Sequence, residues 1–314
     1  MIKKNIKKII LKIRNYKNIH GKYKFVDRTI GKKYGCIILA GYKEILWDTV
    51  FPRVKRYMNE DVDICVVSSG LYSRELNRIC EEYGWSYLST KRNNLCLAQN
   101  IAIQLLPCAE YIYKLDEDMF VTKEFCNEMR KVYWDIKNSS RYNPGIIAPL
   151  IPINGYGYIR LLEKCNKLPV FENKFGKAKF TGGNNEPSNF TKNKDIPLFF
   201  WNEVTELKNI DKASEKLSKE SYAYTICPFR FSIGAIFFER KIWEDMGMFN
   251  VNHTTGMALD EIQLCNYCNT NSLVIAVSEN CIVGHLAYGP QMDTMIQYYL
   301  ENKNQFWGNL SDIN

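Results

Sequence analysis

The run Tyr111-Ile112-Tyr113-Lys114-Leu115-Asp116-Glu117-Asp118-Met119-Phe120 is an apolar strand pattern that ends abruptly in three acids. Along extended backbone, residues two apart project to the same side. Asp116 and Asp118 can therefore aim their oxygens at one point while Glu117 faces elsewhere. Two hard oxygen donors at the end of a strand suit Mg2+ or Mn2+, which fills its remaining positions with water and phosphate oxygens. Such a cation neutralises the charge that develops on a departing diphosphate. The plainer alternative is a solvated acidic turn that caps a helix starting near Thr122.

Upstream of this run, strands alternate with helices. Residues 36–40 (Cys-Ile-Ile-Leu-Ala) form a short apolar run closed by Gly41, and residues 62–67 (Val-Asp-Ile-Cys-Val-Val) a second, closed by Ser68, Ser69 and Gly70. Residues 85–89 and 111–115 give the third and fourth strands. Helical spacing runs through residues 44–58, where Pro52 marks a break or the true start, then through 71–83 up to Gly84, and through 95–106. Four alternations predict an α/β fold, a mostly parallel central sheet flanked by helices. Ligands in such sheets bind beyond the carboxyl ends of the strands. No Gly-x-Gly-x-x-Gly follows the first strand and no Gly-x-x-x-x-Gly-Lys-Ser/Thr occurs, so dinucleotide and P-loop sites are disfavoured.

The chain has 314 residues, 46% hydrophobic and 24% charged, which fits one enlarged globular domain. That balance excludes general disorder, a collagen-like fibre and a disulfide-stapled miniprotein. Apolar runs such as 36–40 and 235–238 are too short to span a bilayer, and no signal-peptide core follows the basic start. A cytoplasmic location is the expectation. Eleven cysteines then read as reduced thiols, and Cys265-x-x-Cys268, with no second pair and only three histidines in the chain, argues weakly for zinc or redox chemistry.

Charge is uneven. Residues 1–33 carry twelve lysines and arginines against Asp27 alone, a net +11, so the remainder of this +8 chain is net −3. Ile2, Ile6, Ile9, Ile13 and Tyr16 recur at helical spacing between the lysines, giving an apolar stripe flanked by positive charge. One reading is an interfacial helix, residues 2–17, lying on an anionic membrane surface. The other is a helix that packs on the domain or frays. Nucleic acid is not expected as a partner, because there is little aromatic interleaving and no helix-turn-helix or zinc-knuckle pattern.

Residues 151–225 are rich in turn formers, including Asn154-Gly155-Tyr156-Gly157 and Gly182-Gly183-Asn184-Asn185-Glu186-Pro187. They read as a loop-rich insertion, either a mobile flap that excludes water or a segment without a chemical role. Phe199, Phe200 and Trp201 read as a core anchor rather than a sugar platform. Residues 206–220 read as an exposed helix and the end from 291 onward as a peripheral one.

Several motifs in order resemble those of the nucleotide-sugar glycosyltransferases with the A-type (GT-A) fold, in particular the large inverting family 2. Leu97-Ala98-Gln99-Asn100 sits where that family has an Arg-Asn helix, shortly before the Asp-x-Asp strand. The segment from Phe231 through Gly234, Arg240, Trp243, Gly247 and Phe249 looks like the family's glycine-to-phenylalanine motif. Asp260-Glu261 occupies the place of its acidic pair, and His285 that of a late metal-binding histidine. The likeness covers about residues 34–290, with 151–225 unaligned. It implies an N-terminal arm (1–33), a catalytic domain (34–290) and a helical tail (291–314). Within the domain come a nucleotide-sugar half (34–150), the insertion and an acceptor half (226–290).

The resemblance implies roles as well. Asp118, helped by Asp116, would hold Mn2+ or Mg2+, with His285 as a further ligand. Glu261 or Asp260 would be the base that deprotonates an acceptor hydroxyl, the family pattern favouring Glu261. Tyr42, Lys91, Arg92, Asn93, Asn100, Asp116 and Gly234 would contact the nucleotide sugar. The chain departs from the family at two places. Its second strand ends in Val66-Val67-Ser68-Ser69-Gly70 without acids, and its first in Ala40-Gly41-Tyr42-Lys43 in place of Pro-x-Tyr-Asn. The base is thus open, UDP by default and GDP as the other choice. The implied activity is a metal-dependent inverting transfer of a hexose to a carbohydrate or lipid-linked oligosaccharide acceptor, as in surface polysaccharide synthesis. Rival readings are a sugar-1-phosphate nucleotidyltransferase and an inactive module that binds through its basic arm.

Overall fold

A computed structural model describes residues 16–182, 190–252 and 259–308. Nine strands form one twisted sheet: β1 (Tyr23–Val26), β2 (Tyr34–Leu39), β3 (Val62–Ser69), β4 (Ser86–Thr90), β5 (Tyr111–Asp116), β7 (Asn143–Leu150), β8 (Tyr224–Cys227), β9 (Ala235–Glu239) and β10 (Leu273–Ile282). Their spatial order is β1-β4-β3-β2-β5-β9-β7-β10-β8. Strands β4, β3, β2 and β5 pair in parallel, as the alternation predicts, and β10 pairs in parallel with β7. Strands β1, β8 and β9 run the other way.

The parallel strands are buried almost throughout because helices cover both faces. In β3 every residue is buried, Ser68 and Ser69 included. Fully burying each Val, Ile, Leu or Phe of such a strand contributes about 1.5–3 kcal/mol. The helix after β2 runs unbroken over Trp47–Tyr57 with Pro52 inside it, and a 3-10 turn at Glu44–Leu46 leads into it. The expected break at Pro52 is absent: seven helix residues are buried around it, from Trp47 to Tyr57, and they hold the axis. Helices Arg74–Tyr83 and Leu95–Gln104 start at the side-chain caps Ser73 and Asn94, each accepting from a backbone N–H three residues on.

Two irregular pairings set up the site. Strand β9 lies antiparallel between β5 and β7, with Ala235 opposite Leu115. A two-stranded ribbon of β6 (Met119–Phe120) and β11 (Gly284–His285) places His285 opposite Met119.

Three expectations need correction. Residues 16–33 do not stand off as an arm but are stitched to the domain. Strand β1 pairs with β4, and the Asp63 carboxylate accepts the backbone N–H groups of Ile30, Gly31 and Lys32 at 2.8–3.1 Å. The stripe at Ile2–Ile13 lies outside the described residues. The tail is not peripheral either, since helices Met292–Glu301 and Lys303–Trp307 bury Met295, Tyr299 and Phe306 completely. Nor is the 206–220 stretch simply exposed. Helix Ile210–Ser218 turns Ile210, Asp211, Ala213, Ser214 and Leu217 inward.

Those inward faces meet at Arg53, which is fully buried. Its guanidinium donates to both oxygens of Asp211 and to the carbonyls of Val121 (2.8 Å), Phe306 (2.9 Å) and Trp307 (3.2 Å). Phe199, Phe200 and Trp201 are buried as anchors, with Trp201 Nε1 donating to the Leu286 carbonyl at 3.1 Å. No helix among the described residues is long and apolar enough to cross a membrane.

Candidate active site

The acids leave β5 in a tight turn. Asp116 is the last residue of β5, and its N–H donates to the Gly234 carbonyl at 2.8 Å, which ties the turn to the start of β9. A Cβ at Gly234 would stand 1.9 Å from Met119 Cε and 3.5 Å from Asp116 Oδ2. A side chain there would have to push the flexible end of Met119 aside, whereas Asp116 would remain at ordinary contact distance.

The three carboxylates take three directions. Glu117 points inward and accepts from Gly41 N (2.9 Å), Tyr42 N (2.9 Å) and Trp47 Nε1 (2.7 Å), so it fixes the loop after β2. Gly41 adopts φ +143, a region that side chains rarely enter, and this turns its N–H toward that acid. Asp118 is buried, with Oδ2 ion-paired to Lys43 Nζ and 3.4 Å from His285 Nε2. Asp116 keeps a partly exposed carboxylate but gives Oδ1 to Lys114 Nζ at 2.6 Å. The simple picture of two aspartates aimed at one point is thus modified. Lys114, two residues earlier on the same face of β5 and buried, requires an anion and takes Asp116 as its own.

Electrostatics separate the two aspartates. Burial alone would raise the Asp118 carboxyl, yet His285 and Lys43 hold it well below the usual carboxylate range. Burial lifts the Asp116 carboxyl above its ordinary value, Lys114 opposes this, and the charges of Asp118 and Asp260 add to it. Burial works against the Lys43 ammonium, but Asp118, Asp116 and Glu117 outweigh it and stabilise the charge.

These groups line one open cleft of about 450 Å³ beyond the carboxyl ends of β2, β3 and β5. Tyr42, Lys43, Ser69, Asp116, Asp118, Ser232, Gly234, His285 and Tyr288 face it. Tyr42 lies at the rim, 64% exposed, with its hydroxyl donating to the Ser69 carbonyl at 2.7 Å.

The later acids stand next to residues that line the cleft. Glu261 accepts from Ile233 N at 3.3 Å and pairs with Arg230 Nε at 2.9 Å. Burial pushes its carboxyl up to about 7, against the pull of Arg230 and with the help of Asp260. Asp260 accepts from Gln99 Nε2 at 2.7 Å and is close enough for its charge to act on Asp116. Both acids open the helix Leu259–Thr270. Glu261 thus holds the backbone of Ile233, whose neighbours Ser232 and Gly234 line the cleft.

Other expected site residues lie elsewhere. Asn100 is fully buried away from the cleft, and its amide is spent within the fold. It donates to the carbonyls of Asn18 and Phe249, both at 2.8 Å, and accepts from Trp243 Nε1 (2.9 Å) and Phe249 N (3.0 Å). Its assignment to the nucleotide sugar is therefore corrected to a clamp between helix and loop. Lys91, Arg92 and Asn93 are exposed after β4. Asn93 accepts from Ser69 Oγ at 3.2 Å, which sets it beside the cleft, whereas Lys91 lines a neighbouring groove with Lys22, Lys24 and Tyr72. Cys265 and Cys268 are buried thiols that burial pushes up to about 12.

Sequence reasoning missed Lys43, Lys114 and Ser232. Lys114 carried a signal, its i, i+2 relation to Asp116. Lys43 carried none beyond its place after the first strand.

The donor set fits a divalent cation. His285 Nδ1 stands 2.7 Å from the Ile153 carbonyl and donates its proton there, which turns Nε2 toward Asp118; a cation bound between them would take the place of the Nε2 proton. Among the described residues no three His, Cys, Asp or Glu side chains already form a cage. One carboxylate and one imidazole instead leave room for water and diphosphate oxygens, as hard cations in nucleotide sites prefer.

No protein-family model and no curated protein matches the sequence. Among solved structures, GalNAc-T7 with UDP, GalNAc and Mn2+ aligns at TM-score 0.50 and 12% identity, over 88% of this chain and 50% of that one. The mannosyltransferase PcManGT from Pyrobaculum calidifontis, with GDP-Man and Mn2+, gives 0.48 and 12% over 95% and 70%. TarS residues 1–349 from S. aureus, with UDP-GlcNAc, gives 0.46 and 11% over 83% and 61%. The chain spans half the length of GalNAc-T7. With its strand order, its acid turn after β5 and the glycine of β9 laid against that turn, the chain has the A-type fold of the nucleotide-sugar glycosyltransferases.

Proposed function

We propose that the protein is a metal-dependent glycosyltransferase that moves a hexose from a nucleotide-diphosphate sugar, UDP-linked by default, to a carbohydrate hydroxyl with inversion. The observation that carries this reading is the approach of Asp118 Oδ2 and His285 Nε2, 3.4 Å apart, on a cleft beyond the carboxyl ends of the parallel strands. GalNAc-T7, which shares the fold, holds UDP and Mn2+ and so supports it.

Asp118 and His285 would hold Mn2+ or Mg2+, with Asp116 reaching it through water. A cation bound there supplies charge neutralisation to the leaving diphosphate. The remaining work falls to side chains. Tyr42 presents an exposed ring on which a base can stack. Asn93, held by Ser69 beside the cleft, borders the donor side, with Arg92 and Lys91 reaching toward it from the same loop, and Gly234 keeps the wall before β9 low enough for the sugar. Asp260 or Glu261 takes the proton of the acceptor hydroxyl, a contribution of roughly 10²–10⁴-fold. Attack from the acid side, opposite the diphosphate, inverts the anomeric centre. Of the two readings left open for each segment, we take closure over the cleft for the 151–225 insertion and contact with an anionic membrane for residues 2–17. They imply a cytoplasmic, peripheral enzyme of surface polysaccharide assembly with a lipid-linked acceptor.

A thermal-shift panel of UDP, GDP and their monophosphates, each with and without Mn2+, tests this. A ligand at 100 times its Kd stabilises by about 2.7 kcal/mol. Ion-dependent stabilisation by one diphosphate, abolished by Asp118→Asn, is the expected result. Equal shifts with and without Mn2+, or none with any diphosphate, would end the proposal.

A further inference from the structure

Lys43 occupies the position that the proposed chemistry reserves for a cation. Its Nζ pairs with Asp118 Oδ2, and that same oxygen faces His285 Nε2 at 3.4 Å. An ammonium group therefore sits on the oxygen from which a metal would be held. The surroundings account for this. Asp118 has 2% exposure, and a carboxylate so buried needs a counter-ion. Lys114 is already committed to Asp116 and to the Ile233 carbonyl at 2.8 Å, and Lys43 completes the balance.

The two lysines differ in freedom. Lys114 is buried within β5, whereas the Lys43 side chain is one-third exposed and reaches across the cleft from the loop after β2. The backbone of that loop is fixed by Glu117 through Gly41 and Tyr42. Lys43 can thus leave Asp118 by rotating its own methylenes, with no movement of the chain. A dication and an ammonium cannot share one carboxylate oxygen without strong repulsion. On departure, the nearest place for the ammonium is the mouth of the same cleft, where a donor diphosphate would lie.

We propose that Lys43 is an exchangeable counter-ion. It holds Asp118 while the site is empty, yields that oxygen to the divalent cation, and then pairs with the diphosphate of the donor. This rests on the glycosyltransferase reading and adds to it a residue that couples metal to donor. Metal alone must displace Lys43 into water, whereas metal with a diphosphate gives the lysine a new partner. Linkage is reciprocal, so removing Lys43 changes both affinities.

The test is Mn2+ binding, followed by the free-ion paramagnetic resonance signal, for the full chain and for Lys43→Met and Lys43→Arg, with no nucleotide, with UDP and with GDP. Lys43→Met is expected to bind Mn2+ alone at least tenfold more tightly than wild type. At saturating Mn2+ it is expected to bind the preferred diphosphate at least tenfold more weakly. Lys43→Arg, which keeps the charge, should stay near wild type in both. If Lys43→Met binds Mn2+ alone no better than wild type while both retain ion-dependent diphosphate binding, the exchange is wrong and the glycosyltransferase reading survives. If wild type and variants all fail to bind Mn2+ with any diphosphate, both fall together. Thermal midpoints of the two variants report folding, and Lys43→Arg alone decides through its own Mn2+ affinity if Lys43→Met does not fold. An arginine variant that binds Mn2+ alone tenfold more tightly than wild type would overturn the proposal.

Discussion

Glu117 accepts a 2.7 Å hydrogen bond from the indole Nε1 of Trp47, seventy residues away in sequence, while its two neighbours in the chain face the cleft. The middle acid thus belongs to the scaffold and holds the loop that carries Tyr42 and Lys43. Glu117→Gln replaces one acceptor oxygen by a donor facing the N–H groups of Gly41 and Tyr42 and the Trp47 indole. We expect a loss of about 3 kcal/mol in urea unfolding, since each buried donor left unpaired costs about 1–3 kcal/mol. A change below about 0.5 kcal/mol would remove Glu117 from this role.

The raised carboxyl of Glu261 gives a pH signature. Its folded value is about 7 against an ordinary 4.5, so between those values the folded chain holds a proton that the unfolded chain has released. The stabilisation is complete below pH 4.5 and fades as pH rises through 7. Glu261→Gln keeps the neutral form at all pH values. The stability of the variant relative to wild type should therefore grow by on the order of 2–3 kcal/mol from pH 4.5 to pH 8, read by urea unfolding. A difference that stays flat over that range would refute the shift. If Glu261 is also the base, the wild-type rate climbs through pH 7 and the variant loses roughly 10²-fold or more; a Glu261→Gln rate that stays near wild type transfers the role to Asp260.

Asn100 gives a contrast between fold and site. Asn100→Ala removes four hydrogen bonds that join Asn18, Trp243 and Phe249 to one helix. The expected outcome is a stability loss of about 2–4 kcal/mol, with the ion-dependent shift by diphosphate retained at temperatures where the variant is folded. Loss of that shift in a folded variant would return Asn100 to the donor site.

The Arg53–Asp211 pair is predicted to matter more than any surface ion pair. Breaking a buried pair costs about 3–5 kcal/mol, because the remaining charge stays without compensation. Asp211→Asn should show a loss of that size in chemical denaturation. Lys241, paired with Asp245 on the surface, should cost less than about 1 kcal/mol when changed to Ala. Similar losses for both would contradict the burial argument.

Much of the nucleotide half is legible in the sequence, because residues 36–40, 62–67 and 111–115 are apolar runs that only a sheet covered on both faces can accommodate. Strand β9 shows the limit. Residues 235–238 have the same apolar texture, and nothing in a period-two pattern records that this strand runs against β5. The acid turn was legible as chemistry, but not the division of labour within it. A lysine inside a strand, such as Lys114, reads as solvent-facing until the anion two residues on is seen to share its face. Asn100 misled for a different reason: a motif position shows where a side chain stands, and only the partners show whether its amide is free. The tail reads as peripheral because its apolar residues are interspersed with Gln, Asn, Asp, Glu and Lys, yet Tyr299 and Phe306 bury completely against Phe120 and Trp201.

The guanidinium of Arg53 has an implication for biosynthesis. Its acceptor on Phe306 lies 253 positions later, so at about 5–20 residues per second a ribosome delivers that carbonyl roughly 13–50 s after the arginine itself. During this interval the nascent sheet can pair its early strands while a cation destined for the interior still needs water. Closure around Arg53 is therefore timed by the helix Lys303–Trp307, and a polypeptide stalled before it would expose an unfinished, charged seam to chaperones and proteases.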